Sequence, residues 1–295
     1  MKILNFGSVN IDCVYRVAHF VRPGETISST GYSRFSGGKG FNQSTALARA
    51  GAEVAHAGCV GEDGAWLREA LQRDGVDVHL LRMVEGPTGH AIIQVDDAGQ
   101  NCIIIDGGAN RRIAPVDVGA AFAGFSRGDV LLLQNEISTI PEIMRKAAEK
   151  GMEIVFNPAP MNEGVFSYPL NLVSLFVVNE VEAAALSGVA EGGRPESVLD
   201  AMRAKFPSAD VLLTLGSLGS LARFGHRPDV FVPARKVEAV DTTAAGDTFI
   251  GYFLAERQRG ASLKVAMEIA TAASAVCVTR RGAAPSIPGR AELVI

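Results

Sequence analysis

The 295-residue sequence has few cysteines, and none that cluster: Cys13, Cys59, Cys102 and Cys277 lie far apart with no CxxC pair. That spacing suggests neither a zinc site nor a disulfide framework, and the four are read as buried free thiols. The five histidines (His19, His56, His79, His90 and His226) form no HExxH and no close pair, which removes a histidine-based metal site. No stretch is dense in Lys or Arg, and 28 basic against 32 acidic residues leave a net charge of -4. Nucleic acid is therefore not expected as a partner. No run of about 18 apolar residues is available to cross a membrane. The opening Met1 to Gly7 meets glycine and polar residues too early for a signal-peptide core, so a cytoplasmic protein is expected. There is no GxxxxGK[ST] phosphate loop, and the first apolar run leads into Gly7-Ser8-Val9-Asn10 rather than GxGxxG, which argues against a nicotinamide-dependent oxidoreductase. No internal repeat or low-complexity tract breaks the chain.

What the sequence does have is apolar material, 47% of its residues, enough to bury a large core. Short apolar runs (Val130 to Leu133, Glu153 to Phe156, Leu175 to Val178, Val211 to Thr214) alternate with segments of helical period. Continuous apolar strands of this kind suit a mostly parallel sheet covered by helices on both faces, an α/β fold. Between Thr88 and Asp106 the rhythm changes: Ala91 to Val95 and Asn101 to Ile105 read as a hairpin joined through Asp96-Asp97-Ala98-Gly99-Gln100. An extended region from about Cys13 to Ser36 can pair with it. The expectation is one domain over residues 1–295, with a small β-sheet lid made by segments 13–36 and 88–106. Such a sheet has an uncovered face, which should close over a ligand, pack on a second subunit, or do both.

The run Asp241-Thr242-Thr243-Ala244-Ala245-Gly246-Asp247 precedes a helical stretch that ends near Gly260. Ala244, Ala245 and Gly246 have no bulk to keep a phosphate away, and first-turn N–H groups with the helix dipole make a site for negative charge. Asp247 shares that turn. A carboxylate beside an anion hole is a poor phosphate binder but a sensible acceptor for the proton of an attacking hydroxyl. On these residues alone, a simple helix cap remains open for Asp247.

This run resembles the C-terminal signature of the ribokinase family of carbohydrate and nucleoside kinases. Gly37-Gly38-Lys39-Gly40-Phe41-Asn42-Gln43 is similar to that family's glycine-rich sugar motif, and Gly7 to Asp12 to its opening strand and loop. Gly58 to Gly64, Asn157 to Pro160, Asn179 to Glu182, Thr214 to Gly219 and Thr279 to Ser286 follow in the family's order. The resemblance implies a three-layer sandwich with a β-lid, and an ATP-dependent kinase of a sugar's primary hydroxyl. Its closest form implies ribose, with fructokinase-like or nucleoside kinases as rivals and a non-catalytic sugar sensor as the alternative from another class. Phe41, where a small residue is usual, and Asp106-Gly107-Gly108-Ala109-Asn110, without the usual proline, depart from the pattern and bear on pocket shape.

By this resemblance Asn10, Asp12, Gly38, Lys39, Asn42 and Glu136 contact the acceptor with Asp247. Neutral amides and a carboxylate are also the groups that replace water around a polyol, although singly Asn42 reads better as a polar helix start and Asp12 as a turn former. Glu136 follows an apolar strand, at the end where open α/β sheets place ligands. Asn179, Thr214, Gly216, Gly219 and Gly246 are expected on ATP. Asn179 and Glu182, spaced i, i+3, suit a hydrated Mg²⁺ and equally an N-terminal cap. The resemblance further implies a K⁺ site from Asp241, Thr243, Cys277, Arg280, Gly282 and Ser286, and the open face of the β-lid is expected to serve as the interface of a homodimer.

Overall fold

The apolar runs form the interior of a nine-stranded sheet in the computed structural model, which describes residues 1–294. The chain opens with β1 (Ile3–Phe6), β2 (Asn10–Arg16), β3 (Gly31–Gly37), α1 (Lys39–Arg49), β4 (Val54–Gly61), α2 (Ala65–Arg73) and β5 (Leu81–Val84). It continues through β6 (Gly89–Val95), β7 (Asn101–Asp106), α3 (Pro115–Ala121), β8 (Val130–Gln134), α4 (Ile140–Glu149), β9 (Glu153–Asn157) and β10 (Leu175–Asn179). The remainder is α5 (Glu180–Ser187), α6 (Pro195–Lys205), β11 (Asp210–Thr214), β12 (Gly219–Arg223), β13 (Val230–Pro233), α7 (Ala245–Gln258) and α8 (Leu263–Cys277).

Strand order in the main sheet is β13-β12-β11-β10-β9-β8-β1-β4-β5; β12 and β13 run antiparallel and the rest parallel. Alternate residues bury into two separate cores: Leu4, Phe6, Leu131 and Leu133 on one side, Ile3, Val130 and Leu132 on the other. Both faces are covered, so the strands read as unbroken apolar runs. The three-layer expectation holds. The parallel strands β8 to β11 each end in a polar residue at one common edge, with Gln134 opposite Asn157 and Asn179 opposite Thr214.

The second sheet has the order β3-β2-β6-β7. β6 and β7 form the hairpin, its turn closed by Asp96, whose Oδ1 accepts from the N–H groups of Ala98 and Gln100, with Gly99 at φ 78°. β2 runs parallel to β6 because each leaves the same edge of the main sheet. Phe35, Ile103 and Ile105 stay exposed on the side of this sheet that carries Asp12.

Two expectations need correction. Only Cys59 and Cys277 are buried; Cys13 is half-buried and Cys102 exposed on β7, because the small sheet has no helix over it. Phe41 does not shape a pocket: it is 1% exposed and packs in the core with Val9 and Leu47. Trp66 is a packing residue, with the Arg34 guanidinium 5.7 Å over its ring.

Candidate active site

Two helices aim their first turns at one point. α1 and α7 cross closely because Gly251 lacks a side chain: a Cβ there would lie 2.4 Å from the Ala46 Cβ and 2.8 Å from the Leu47 nitrogen. The contact brings Asn42 and Gln43 to Asp247, which is 6% exposed. Asn42 Nδ2 donates to Asp247 Oδ2 at 3.1 Å, and Gln43 Nε2 to Oδ1 at 2.8 Å. Ala244, the N-cap of α7, sits at φ 60°, a left-handed conformation unusual for a residue with a Cβ. Held strain of this kind concentrates at functional turns. The Ala245 N–H is spent on the Thr242 carbonyl at 3.2 Å. The N–H groups of Gly246 and Asp247 are first-turn donors with no acceptor among the described residues, as an anion site at a helix start requires.

On one side of Asp247 lie the residues expected on the sugar. Glu136 Oε2 accepts from the Lys39 backbone N–H at 2.9 Å and from the Ser8 hydroxyl, so the start of α1 and the loop after β1 fix it. Burial raises the Glu136 carboxyl above its usual range, opposed by the Ser8 hydrogen bond and the Lys39 charge. The Lys39 ammonium is raised chiefly by the charge of Asp247, with Glu136 and Glu182 adding to it. Asp12 is pushed up to about 7 by burial and then by the charge of Glu136. Asn10 Oδ1 accepts from Asn110 Nδ2 at 2.7 Å. The glycines here have separate tasks. A Cβ on Gly37 would sit 2.2 Å from the Asp12 carboxylate, Gly38 has φ 89°, and a Cβ on Gly40 would strike the backbone of Gly7 and Ser8 at 2.4–2.6 Å. Gly40 thus lets α1 approach the end of β1.

On the other side a cavity of about 220 Å³ runs from Lys39 and Asp247 past Gly246 to Asn179, Glu182 and Thr214. Asn179 is the N-cap of α5: its Oδ1 accepts from the Glu182 N–H at 2.8 Å while Glu182 reaches back to the Asn179 N–H at 3.0 Å. The pair is a capping box and also lines the cavity, so the two sequence readings do not exclude each other. Burial raises the Glu182 carboxyl. Gly216 and Gly219 follow Thr214 with φ 52° and 124°, and a Cβ on Gly219 would meet the Val232 carbonyl at 2.1 Å. Neither glycine lines the cavity. Asn10, Asp12, Gly38, Asn42 and Glu136 lie outside its lining as well, so Lys39 and Asp247 join two half-sites.

Beneath α7, Asp241 Oδ1 accepts from the Thr243 N–H and Oδ2 from the Gly282 N–H, both at 2.9 Å. Burial pushes its carboxyl up, but these bonds outweigh that and hold it below the usual range. Cys277 Sγ lies 3.0 Å from Ser286 Oγ and 3.7 Å from the Thr243 carbonyl, and the Arg280 N–H bonds the Cys277 carbonyl. The Arg280 guanidinium turns away to Glu292 at 2.6 Å. Among the described residues no group of three or more His, Cys, Asp or Glu side chains could hold a metal.

Residues 1–290 match the family model described as pfkB family carbohydrate kinase. The chain belongs to this family. It is 35% identical to the ribokinase of Haemophilus influenzae over 97% of this chain and 95% of that one. It is 37% identical to the ribokinase of Schizosaccharomyces pombe, over 99% and 96%. The structure superposes on Arabidopsis thaliana ribokinase complexed with ribose and ATP with a TM-score of 0.86 at 30% identity, over 98% of this chain and 96% of that one. Cryptococcus neoformans ribokinase in complex with ADP gives 0.86 at 34%, over 98% of each. As a family carbohydrate kinase, the protein is a phosphotransferase.

Several residues of this kinase's site had no role in the sequence reading: Ser8 on Glu136, Asn110 on Asn10, Gln43 on Asp247, and Asn157, whose Oδ1 lies 3.3 Å from Gln43 Nε2. Their signal is faint. Gln134 and Asn157 are single polar residues closing apolar strands, and Gln43 sits one turn after Lys39 on the face that also carries Asn42.

Proposed function

We propose that the protein transfers the γ-phosphoryl group of ATP to the primary hydroxyl of ribose, giving ribose 5-phosphate and ADP. The observation that carries this reading is a buried Asp247 in the same turn as two unpartnered N–H groups, at the join of a polyol-type half-site and a cavity. The attacking hydroxyl loses its proton to Asp247 as its oxygen bonds to phosphorus, and the bond to the ADP oxygen breaks. The Gly246 and Asp247 amides and the Lys39 ammonium balance charge on the transferring group. Ribose as acceptor is supported by relatives of 35% and 37% identity along nearly the whole chain.

Asn10, Asp12, Gly38, Lys39, Asn42 and Glu136 would hold the sugar, and Asn179, Thr214, Gly216, Gly219 and Gly246 the nucleotide. Mg²⁺ would enter with ATP and meet Asn179 and Glu182 through water, neutralising phosphate charge, as suits an ion that keeps its hydration shell. K⁺ would sit among Asp241, Thr243, Cys277, Arg280, Gly282 and Ser286, mainly on backbone carbonyls. The two N–H groups that hold the Asp241 carboxylate fit a site that orders the turn before α7. The small sheet closes over the sugar, excluding water, and its exposed Phe35, Ile103 and Ile105 give it a face for a second copy in a homodimer. The cytoplasm is the compartment that supplies ATP, Mg²⁺ and K⁺ together.

The test is ADP release with ATP, Mg²⁺ and K⁺ against ribose, deoxyribose, fructose, tagatose, adenosine and inosine, for wild type and Asp247→Asn. Turnover is expected with ribose, and the variant should lose roughly 10²- to 10⁴-fold in kcat. Turnover with a hexose or nucleoside instead would overturn the acceptor. Sugar binding without turnover would restore the sensor reading.

A further inference from the structure

We infer that Gln43 and Gln134 are positioning residues for the base, two buried carboxamides locked in series so that Gln43 turns its N–H group, not its oxygen, toward Asp247. This rests on Asp247 being the proton acceptor. A carboxamide carries a donor and an acceptor of nearly equal shape. A lone glutamine beside a carboxylate is therefore free to turn its oxygen inward, which favours the protonated acid.

Here the choice is made elsewhere. Asn5 Nδ2 lies 2.8 Å from the Gly40 carbonyl, and a backbone carbonyl can only accept. Asn5 Oδ1 therefore faces Gln134, whose Nε2 donates to it at 2.9 Å and to Gln43 Oε1 at 2.7 Å. With its oxygen taken, Gln43 presents Nε2 to Asp247 Oδ1 at 2.8 Å. A second anchor gives the same answer: Asn157 Nδ2 donates to the Val177 carbonyl at 3.0 Å, leaving Asn157 Oδ1 toward Gln43 Nε2. Two backbone carbonyls, one on α1 and one on β10, impose a single polarity on Gln43. Asn5, Gln43 and Gln134 are each 0% exposed, so solvent does not compete for these bonds.

The charged and titratable groups around Asp247 are the Lys39 ammonium, the Glu136 and Glu182 carboxyls and the Cys277 thiol. They remain when Gln43 is changed, so the displacement of the rate profile isolates the carboxamide.

The experiment is kcat at saturating ribose and MgATP from pH 5 to 9 for wild type, Gln43→Met and Gln134→Met, with melting temperatures. Loss of one hydrogen bond to a charged group should move the acid limb of Gln43→Met upward by about one to two pH units. The rate should return toward wild type at the alkaline end, with the KM for ribose little changed. Gln134→Met should move the limb the same way by less, because Asn157 still anchors Gln43. An unmoved limb, or a loss equal at every pH as a packing defect would give, overturns the inference. If Gln43→Met does not fold, the limb of Gln134→Met decides alone. Near-wild-type turnover in Asp247→Asn would sink the base reading itself. Loss there with an unmoved limb in Gln43→Met removes only the positioning role.

Discussion

Replacing Gly246 by alanine adds one methyl group at the second position of α7, and the structure gives stability and activity opposite signs. A Cβ built at Gly246 meets no atom within 4 Å, and the residue is exposed on the cavity wall with no left-handed φ to relieve. Glycine in a helix costs roughly 0.5–1 kcal/mol relative to alanine, so the folded protein should gain up to about that much. For a chain of this size the melting temperature should rise by about 1–3 °C. On the proposed reading, the same methyl would occupy the space through which a phosphate reaches the N–H groups of Gly246 and Asp247. A hydrogen bond to a charged group contributes about 1.5–3 kcal/mol, so pushing the phosphate off one donor should cost roughly ten- to a hundred-fold in kcat/KM for ATP. Differential scanning fluorimetry and initial rates over an ATP titration read the two effects on one preparation. A variant with unchanged kcat/KM for ATP would refute the placement of phosphate at this turn. One that melts lower would refute the account of Gly246 as free of packing.

Gly40→Ala is the complementary case: its Cβ would lie 2.4–2.6 Å from the backbone of Gly7 and Ser8, which cannot swing aside. A loss of about 1–3 kcal/mol in chemical denaturation is expected, and wild-type stability would show that β1 and α1 do not meet as described. Asp12, raised to about 7, stays protonated in the fold while the unfolded chain ionises from its ordinary 3.8. Its contribution to stability is therefore lost progressively between those two values as pH rises, and Asp12→Asn should match wild type near pH 4 and melt higher than ligand-free wild type above pH 7. Melting curves that stay parallel across that range would count against it. Asp241→Ala removes both bonds that tie Thr243 to Gly282. It should raise the K⁺ concentration needed for half-maximal turnover, and an unchanged K⁺ curve would move the cation elsewhere.

Much of the fold was legible because its signals are local. Leu131-Leu132-Leu133 and Phe176-Val177-Val178 bury alternate residues in two different cores, which no half-exposed strand does, and that alone implies helices on both faces. The form of the α7 turn was legible for the same reason: small residues, a helix start and a carboxylate stand within a few positions. Phe41 was misread because it adjoins the glycine motif. On a helix, Lys39, Asn42 and Gln43 at i, i+3 and i+4 share the face toward Asp247, and Phe41 between them points back to the core. For Asn179 and Glu182 the sequence offers cap and ligand as alternatives, yet a capping box at a strand end is compatible with both, since the bonds that close the helix also fix Glu182 at the cavity wall. What holds Asp247 was not legible at all. Gln43 reaches Asp247 across 204 positions and is itself oriented by Gln134, 91 positions on, whose orientation is set by the Gly40 carbonyl through Asn5. A backbone carbonyl has no residue type, so the group that decides which end of Gln43 meets Asp247 leaves no mark in the sequence.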